Sequence, residues 1–127
     1  MTPSGNEAES LLELAERDYK AFMILVDDPE AHVSSALFHA QQYAEKTMKA
    51  VLVERGVVFR RTHNLVELED LLEAADVNPF SDKDSLQKLN PYAIDVRYVI
   101  GGKEMTKEEA KAVVAAIRIW AGSVLER

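Results

Sequence analysis

The stretch from Val33 to Val53 constrains the fold of this chain most, because its pattern is that of a helix with two different sides. At 100° per residue, one side carries an apolar stripe at helical spacing, formed by Val33, Leu37, Ala40, Ala44, Met48 and Val51. The opposite side, called the outer side below, mixes polar and apolar residues: Phe38, Gln42, Glu45, Lys49 and Val53. This combination predicts a central helix that neighbouring helices surround and that presents a partner surface on its outer side.

Helical patterns also cover most of the remaining chain. We predict helices over residues 7–26, 29–55, 65–75, 82–100 and 106–125, with a restart of the fourth helix at Asn90-Pro91 as an alternative. Asp28 and Pro29 are suited to begin the second helix, and Gly56 to end it in a left-handed conformation. The sequence therefore predicts an all-α fold: an up-and-down bundle of four longer helices plus a shorter fifth helix near residues 65–75.

The ends of the shorter elements follow from local chemistry. Thr62 or Asn64 is suited to cap the third helix, and Thr106 with Glu109 forms a capping box at the start of the last one. The apolar run 57–59 is too short for a partnered strand, so we predict a loop that closes one end of the bundle.

Composition limits the classes of function. With 127 residues the chain is expected to form one domain, residues 1–127, in which residues 1–6 are a flexible lead-in. The absence of cysteine excludes disulfides and sulfur-ligated zinc. A net charge of −7 opposes extended, non-specific binding of nucleic acid but is compatible with a small basic site. No apolar run approaches about 18 residues, so we expect no membrane span and a cytoplasmic location.

Two charged residues interrupt apolar stripes. Asp18 lies in the middle of the first helix's stripe, and Arg97 lies in that of residues 86–100. An unpaired buried charge costs several kcal/mol, so each needs a partner. We consider three arrangements. Asp18 and Arg97 form a structural pair across the bundle, or both open onto one shared cavity, or they do neither.

The outer side of residues 33–53 has two interpretations. It is either a solvated face with a Glu45–Lys49 pair four residues apart, or a dimer surface. The apolar residues at both of its ends favour the dimer, as does Ile119, which points away from the core face of the last helix.

The three histidines lack metal-ligand spacing, so we expect no bound metal, and no motif indicates a cofactor.

Several short segments together resemble the HEPN family, named for nucleotide binding in higher eukaryotes and prokaryotes. They are residues 15–18, Phe38 to Ala50, Gly56, Thr62 to Leu65 and Arg97-Tyr98, within a resemblance that runs from about Ala15 to Val124. The resemblance implies a helical bundle that forms a homodimer. It also implies a role beside a small nucleotidyltransferase in a toxin–antitoxin-like pair, or activity as a ribonuclease.

In the ribonuclease members an Arg is followed after four to six residues by a His, and two protomers bring these motifs together. Arg97 matches the Arg, but the positions for the His hold Gly102, Lys103 and Glu104. Cleavage through the 2′-hydroxyl needs a group that moves a proton near neutral pH, usually His. We therefore expect nucleotide or RNA binding rather than turnover.

The expected ligand-binding residues are Arg97, Tyr98, Asp18, Gln42, Glu45 and Lys49, and Arg97 is the candidate for a catalytic role. Two alternatives remain open. One is a metal-independent ribonuclease in which His39 or His63 replaces the motif His. The other is a purely structural partner of a nucleotidyltransferase.

Overall fold

The structure is a computed structural model that describes residues 3–77, 80, 82–93 and 105–125. Its helices are α1 (Pro3–Leu25), α2 (Val33–Glu54), α3 (Leu65–Ala74), α4 (Lys83–Leu89), a 3-10 helix (Asn90–Ala93) and α5 (Lys107–Leu125). The described ranges contain no strand, which confirms the predicted all-α helical bundle.

Helix α2 is the centre of the bundle, as its two-sided pattern predicts. It packs against α1, α3, α4, the 3-10 helix and α5. Of its 22 residues 13 are buried, so little of its surface is left for solvent. The prediction that Val33 lies on the packing side is wrong: Val33 is the first residue of α2 and is 43% exposed.

The core joins all five α-helices. Its largest fully buried apolar side chains are Phe22 of α1, Leu37, Met48 and Leu52 of α2, Leu65, Leu68 and Leu72 of α3, Leu86 and Leu89 of α4, and Ile117 of α5. Burying each such side chain contributes about 1.5–3 kcal/mol of hydrophobic free energy. Small alanines on α2, among them the fully buried Ala40 and Ala44, let the neighbouring helices approach closely.

The start of α2 differs from the prediction. The helix begins at Val33 rather than Pro29, and His32 is its N-cap without a capping side-chain hydrogen bond. Asp28 instead accepts a hydrogen bond from the Glu30 amide at 2.9 Å, which stabilises a local turn in place of a helix start. The far end of α2 is as predicted, since Gly56 has a φ of 72°.

The remaining helix ends show the predicted chemistry. Asn64 caps α3 by accepting hydrogen bonds from the amides of Val66 (3.0 Å) and Glu67 (3.3 Å). The Thr106–Glu109 capping box forms in both directions, at 3.0 and 3.1 Å. Both predictions are confirmed.

The fourth predicted helix is shorter than expected within the described residues. It ends at Leu89 and continues as the 3-10 helix, where Pro91 has no amide to donate. The predicted continuation to Ile100 lies, beyond Ala93, outside the described residues. In the loop after α2, Val57 and Phe59 pack against the core as predicted, whereas Val58 is 92% exposed.

Candidate functional site

Two polar clusters of similar composition lie on α2. The first, called the Asp18 cluster, joins α1 to α2. His39 Nδ1 is 2.9 Å from one oxygen of the Asp18 carboxylate, and Lys46 Nζ donates to the other at 2.6 Å. The Asp18 side chain is 10% exposed, so this carboxylate is buried but doubly bonded. The cost of burying its charge is thereby offset.

The second cluster, called the Glu45 cluster, joins α2 to the loop before α3. His63 Nδ1 is 2.9 Å from Glu45 Oε1, and Lys49 Nζ donates to Glu45 Oε2 at 2.9 Å. The Glu45 side chain is 6% exposed and that of Lys49 is 14% exposed. The predicted Glu45–Lys49 pair is thus present, but the interpretation of a solvated face is wrong, because the pair is largely buried.

Gln41 holds the parts of the Glu45 cluster together. This fully buried side chain donates through Nε2 to Glu45 Oε1 at 3.2 Å and to the His63 carbonyl at 3.1 Å. Its Oε1 accepts a hydrogen bond from Gln42 Nε2 at 2.7 Å. A single amide therefore fixes the carboxylate, the backbone of the histidine and an outer-side residue relative to one another.

The hydrogen bonds decide which nitrogen of each histidine carries the proton. An ionised carboxylate only accepts, so in a neutral imidazole Nδ1 is the donor and Nε2 keeps its lone pair. The two rings differ in accessibility: the His39 side chain is 30% exposed and the His63 side chain is 60% exposed. The Glu45 cluster therefore presents an oriented imidazole with an accessible Nε2.

A cavity of about 220 Å³ is lined by His63 together with Asn64, Asn90 and Ala93. Its two asparagines are held firmly: Asn90 Oδ1 accepts from the Leu65 amide at 2.8 Å, and Asn90 Nδ2 donates to Asn64 Oδ1 at 3.0 Å. The cavity is smaller than the roughly 300–1,000 Å³ of pockets that enclose a whole drug-sized ligand. It has room for a phosphate or a base.

A larger cavity, of about 360 Å³, lies at the C-terminal end of α2 and is lined by Glu7, Val53, Gly56, Val57, Val58 and Phe59. Val53, predicted on the outer side of α2, lines this cavity and is only 8% exposed. Among the described residues the lining of the cavity is mainly apolar, and the one charged residue there, Glu7, is acidic. This chemistry does not suit a nucleotide phosphate, so the smaller cavity is the better candidate.

The predicted site residues are only partly brought together. Glu45 and Lys49 are bonded, and Gln42 is linked to them through Gln41. Asp18 is engaged by His39 and Lys46, in the separate cluster described above. Arg97 and Tyr98 lie outside the described residues, and so does the predicted Asp18–Arg97 pairing.

Two residues of this cluster were not among the predicted ligand-binding residues. His63 was predicted only as a replacement for the motif His in the ribonuclease alternative, and in the structure its ring is bonded to a carboxylate 18 positions away in the chain. Gln41 was not singled out, although a signal exists: it falls between Leu37 and Met48 on the packing side of α2. A polar side chain in such a stripe needs buried partners, and those partners are the site.

Another group of polar side chains lies where α1, α2 and α5 meet. The Arg118 guanidinium stacks over the Tyr19 ring at 3.7 Å and is 3.0 Å from Glu16. Burial raises the pKa of Tyr43, whose ring is 5.7 Å from that of Tyr19. The Tyr43 phenol is therefore neutral at physiological pH, and this group serves packing rather than proton transfer.

Comparison with known proteins identifies the family. The model of the HEPN domain matches residues 8–121, which is most of the chain. The chain therefore belongs to the HEPN family. No curated protein and no solved structure matches it. Among the described helices, none has the length and apolar character that crossing a membrane requires.

Proposed function

We propose that this HEPN domain binds a nucleotide or RNA at the Glu45 cluster and the adjoining outer side of α2. Membership of the family indicates a nucleotide- or RNA-related function. The observation that carries the proposal is the 60% exposed His63 ring, held by Glu45, in a residue that also lines a cavity large enough for a phosphate or a base.

The side chains around this ring provide the contacts that a nucleotide needs. Lys49 uses one of its three ammonium donors on Glu45, which leaves donors for a phosphate. Half-buried Phe38 lies on the same outer side, and an aromatic face of this kind stacks bases with about 1–3 kcal/mol per base. Half-buried Gln42 lies between them on the helix and supplies an amide.

The local charge suits a phosphate better than the net charge of −7 suggests. In the Glu45 cluster one carboxylate balances one ammonium, and the same holds for the Asp18 cluster. A phosphate approaching α2 thus meets no net negative charge from these two clusters.

Arg97 and Tyr98 remain proposed ligand residues. Arg97 is four positions after Ala93, which lines the cavity. A guanidinium is suited to hold a phosphate by two hydrogen bonds.

Calorimetric titration with nucleoside monophosphates and a short single-stranded RNA tests the proposal. We expect binding that Phe38→Ala and Arg97→Ala each weaken roughly 5- to 150-fold, because each removes roughly 1–3 kcal/mol of contact. Lys111→Gln is the matched control, since it removes a positive charge on α5 that pairs with Asp27. The proposal fails if no ligand binds, or if the control weakens binding as much as the two site variants.

We further propose that the chain forms a homodimer and associates with a nucleotidyltransferase in a toxin–antitoxin-like pair. Family membership supports both, and the 75% exposed Ile119 supports an additional protein contact. Light scattering tests the dimer, and a monomer at micromolar concentration would contradict it. Co-expression with a neighbouring nucleotidyltransferase tests the pair, and separate elution of the two proteins would contradict it.

A further inference from the structure

We infer that the outer face of α5 pairs with the same face of a second copy of this chain. The two α5 helices run antiparallel, and Ile119 of each copy packs against Ala115 of the other. The inference rests on the homodimer proposed above and names the surface that forms it. It assigns the pairing to α5 rather than to the outer side of α2, where the ligand is proposed to bind.

The outer face of α5 is the side turned away from the core over residues 112–123. At 100° per residue it lies opposite the buried stripe of Val113, Ile117 and Val124. It consists of six exposed or half-buried residues: Ala112, Ala115, Ala116, Ile119, Gly122 and Ser123. None of them is charged, and the Ser123 hydroxyl donates to the Trp120 carbonyl at 2.7 Å. Over about three turns, this face therefore presents no charged group to solvent.

Helix α1 shows that a charge-free outer face is not a general property of the bundle. The exposed residues of α1 include Glu9, Glu13, Arg17 and Lys20, as is usual for a helix face in water. The outer face of α5 instead has Ile119, which is 75% exposed, among small residues. An apolar face with polar surroundings is typical of a protein–protein contact.

Gly122 indicates that another molecule approaches this face closely. Glycine within a helix is less favourable than alanine, so its presence needs a reason. The chain itself supplies none: Gly122 has no positive φ, and a Cβ atom added there would meet nothing within 4 Å. The missing side chain therefore makes room only for a group that comes from outside the chain.

The order of large and small residues suits an antiparallel pairing of the face with itself. Two-fold symmetry requires that each contact occurs twice, with the two residues exchanged between the copies. Antiparallel helices centred on Ile117 place Ile119 opposite Ala115 and Gly122 opposite Ala112. The large side chain then always meets a small one, which permits interaxial distances of about 8–10 Å. Two chains with a net charge of −7 each also meet there without like charges side by side.

Helix α1 continues this apolar surface beside α5. Arg118 of α5 is bonded to Glu16 at 3.0 Å, and Lys111 is bonded to Asp27 at 2.7 Å, so α1 lies alongside α5. Met23, 49% exposed, is seven residues after Glu16 and therefore projects from the same side of α1. A strip one helix wide and about 28 Å long is narrow for an interface of roughly 1,200–2,000 Å², and Met23 widens it.

Light scattering over a range of protein concentrations tests the surface with wild type, Ile119→Glu, Ala115→Lys and the control Val58→Glu. Each of the first two variants places two unpaired charges in the contact, so we expect the dissociation constant of the dimer to rise about 100-fold or more. The control adds a charge at an apolar residue that is 92% exposed in the loop after α2, and it should dimerise like wild type. Circular dichroism should show wild-type helix content throughout, because all three positions are exposed.

An equal mixture of Ile119→Glu and Ala115→Lys tests the register. In the mixed dimer, the carboxylate introduced at position 119 faces the ammonium introduced at position 115, and the second contact keeps its native residues. Mixing should therefore restore a dimer that neither variant forms alone.

Three results would overturn the inference while the homodimer stands: Ile119→Glu and Ala115→Lys that dimerise like wild type, a control that is weakened as much as they are, or a mixture in which no dimer returns. A wild type that is monomeric at every concentration would refute the proposed homodimer itself, and the inference with it. The wild-type measurement thus separates the two failures.

Discussion

The Asp18 and Glu45 clusters contain the same three groups, and their difference is instructive. Each has one carboxylate, one histidine held through Nδ1 at 2.9 Å and one lysine. In the Asp18 cluster the carboxylate comes from α1, and both partners lie on α2. In the Glu45 cluster the carboxylate and the lysine share α2, and only the histidine comes from elsewhere.

This difference in origin distinguishes a cluster that joins two helices, the Asp18 cluster, from the proposed site, the Glu45 cluster. Breaking the Asp18 cluster removes two polar bonds between two helices, because both bonds cross the α1–α2 interface. Breaking the His63 bond releases one exposed ring of a loop and leaves the Glu45–Lys49 pair on its own helix. The same three groups therefore join two helices in one place and leave a largely exposed imidazole in the other.

Asp18→Asn should have the largest effect on stability. It removes a buried negative charge and leaves the Lys46 ammonium, 23% exposed, without its counter-charge. Breaking a fully buried pair costs about 3–5 kcal/mol, and the partial exposure of Lys46 and His39 reduces our expectation to about 2–3 kcal/mol. Urea unfolding followed by circular dichroism measures the loss.

The matched control is Glu13→Gln, on the same helix. Glu13 pairs with Arg17 while both side chains are 71% exposed, so its loss should cost less than about 1 kcal/mol. Equal destabilisation by the two variants would show that Asp18 does not tie α1 to α2.

Glu45→Gln should have an intermediate effect, about 1–2 kcal/mol, because the amide keeps an acceptor while Lys49 loses its counter-charge. It should also impair function, which Asp18→Asn should not do beyond its effect on folding. Unfolding and RNA-binding measurements on both variants test this contrast. An unimpaired Glu45→Gln variant would remove the distinction between the clusters.

Replacing His39 should lower the free energy of unfolding more than replacing His63, although only His63 belongs to the proposed site. His39→Gln removes a bond between α1 and α2 and should cost about 0.5–1.5 kcal/mol. His63→Gln removes a bond from a 60% exposed ring and should cost less than about 0.5 kcal/mol. A larger loss for His63 in the same unfolding experiment would make it the structural histidine.

A more exposed carboxylate sharpens the comparison, with the smallest expected effect. Glu109 is bonded to Lys88 and to the Thr106 amide, which lowers its pKa from 4.5 to about 2. Because the folded-state pKa is lowered, the contribution to stability is complete above about pH 4.5 and is lost as the pH falls toward 2. The difference between wild type and Glu109→Gln should therefore be largest at neutral pH and vanish near pH 2. A difference that does not vary with pH would contradict this assignment.

Local patterns predicted the fold well because they act over one or two helical turns. The stripe of α2, the Asn64 cap, the left-handed Gly56 and the Thr106–Glu109 capping box are all present. The start of α2 was wrong because Asp28 has a second use, a turn with Glu30, that competes with capping.

The site was harder to predict, because its bonds join residues far apart in the chain. Asp18 was recognised as a buried charge, but nothing in the sequence near it indicates His39 and Lys46 as its partners. Periodicity likewise placed Glu45 beside Lys49, since both lie on one helix. It could not bring the His63 loop to that helix, which tertiary packing alone decides.

A long-range ¹H–¹⁵N spectrum of the histidine rings, recorded while a ribonucleotide is added, tests the central claim most directly. Signals are assigned with His32→Gln, His39→Gln and His63→Gln. We predict that His63 carries its proton on Nδ1 in the free protein, and that its Nε2 signal moves on binding while the signals of His39 move less. A His63 ring protonated on Nε2, or a Nε2 signal that the ribonucleotide leaves unchanged, would contradict the account.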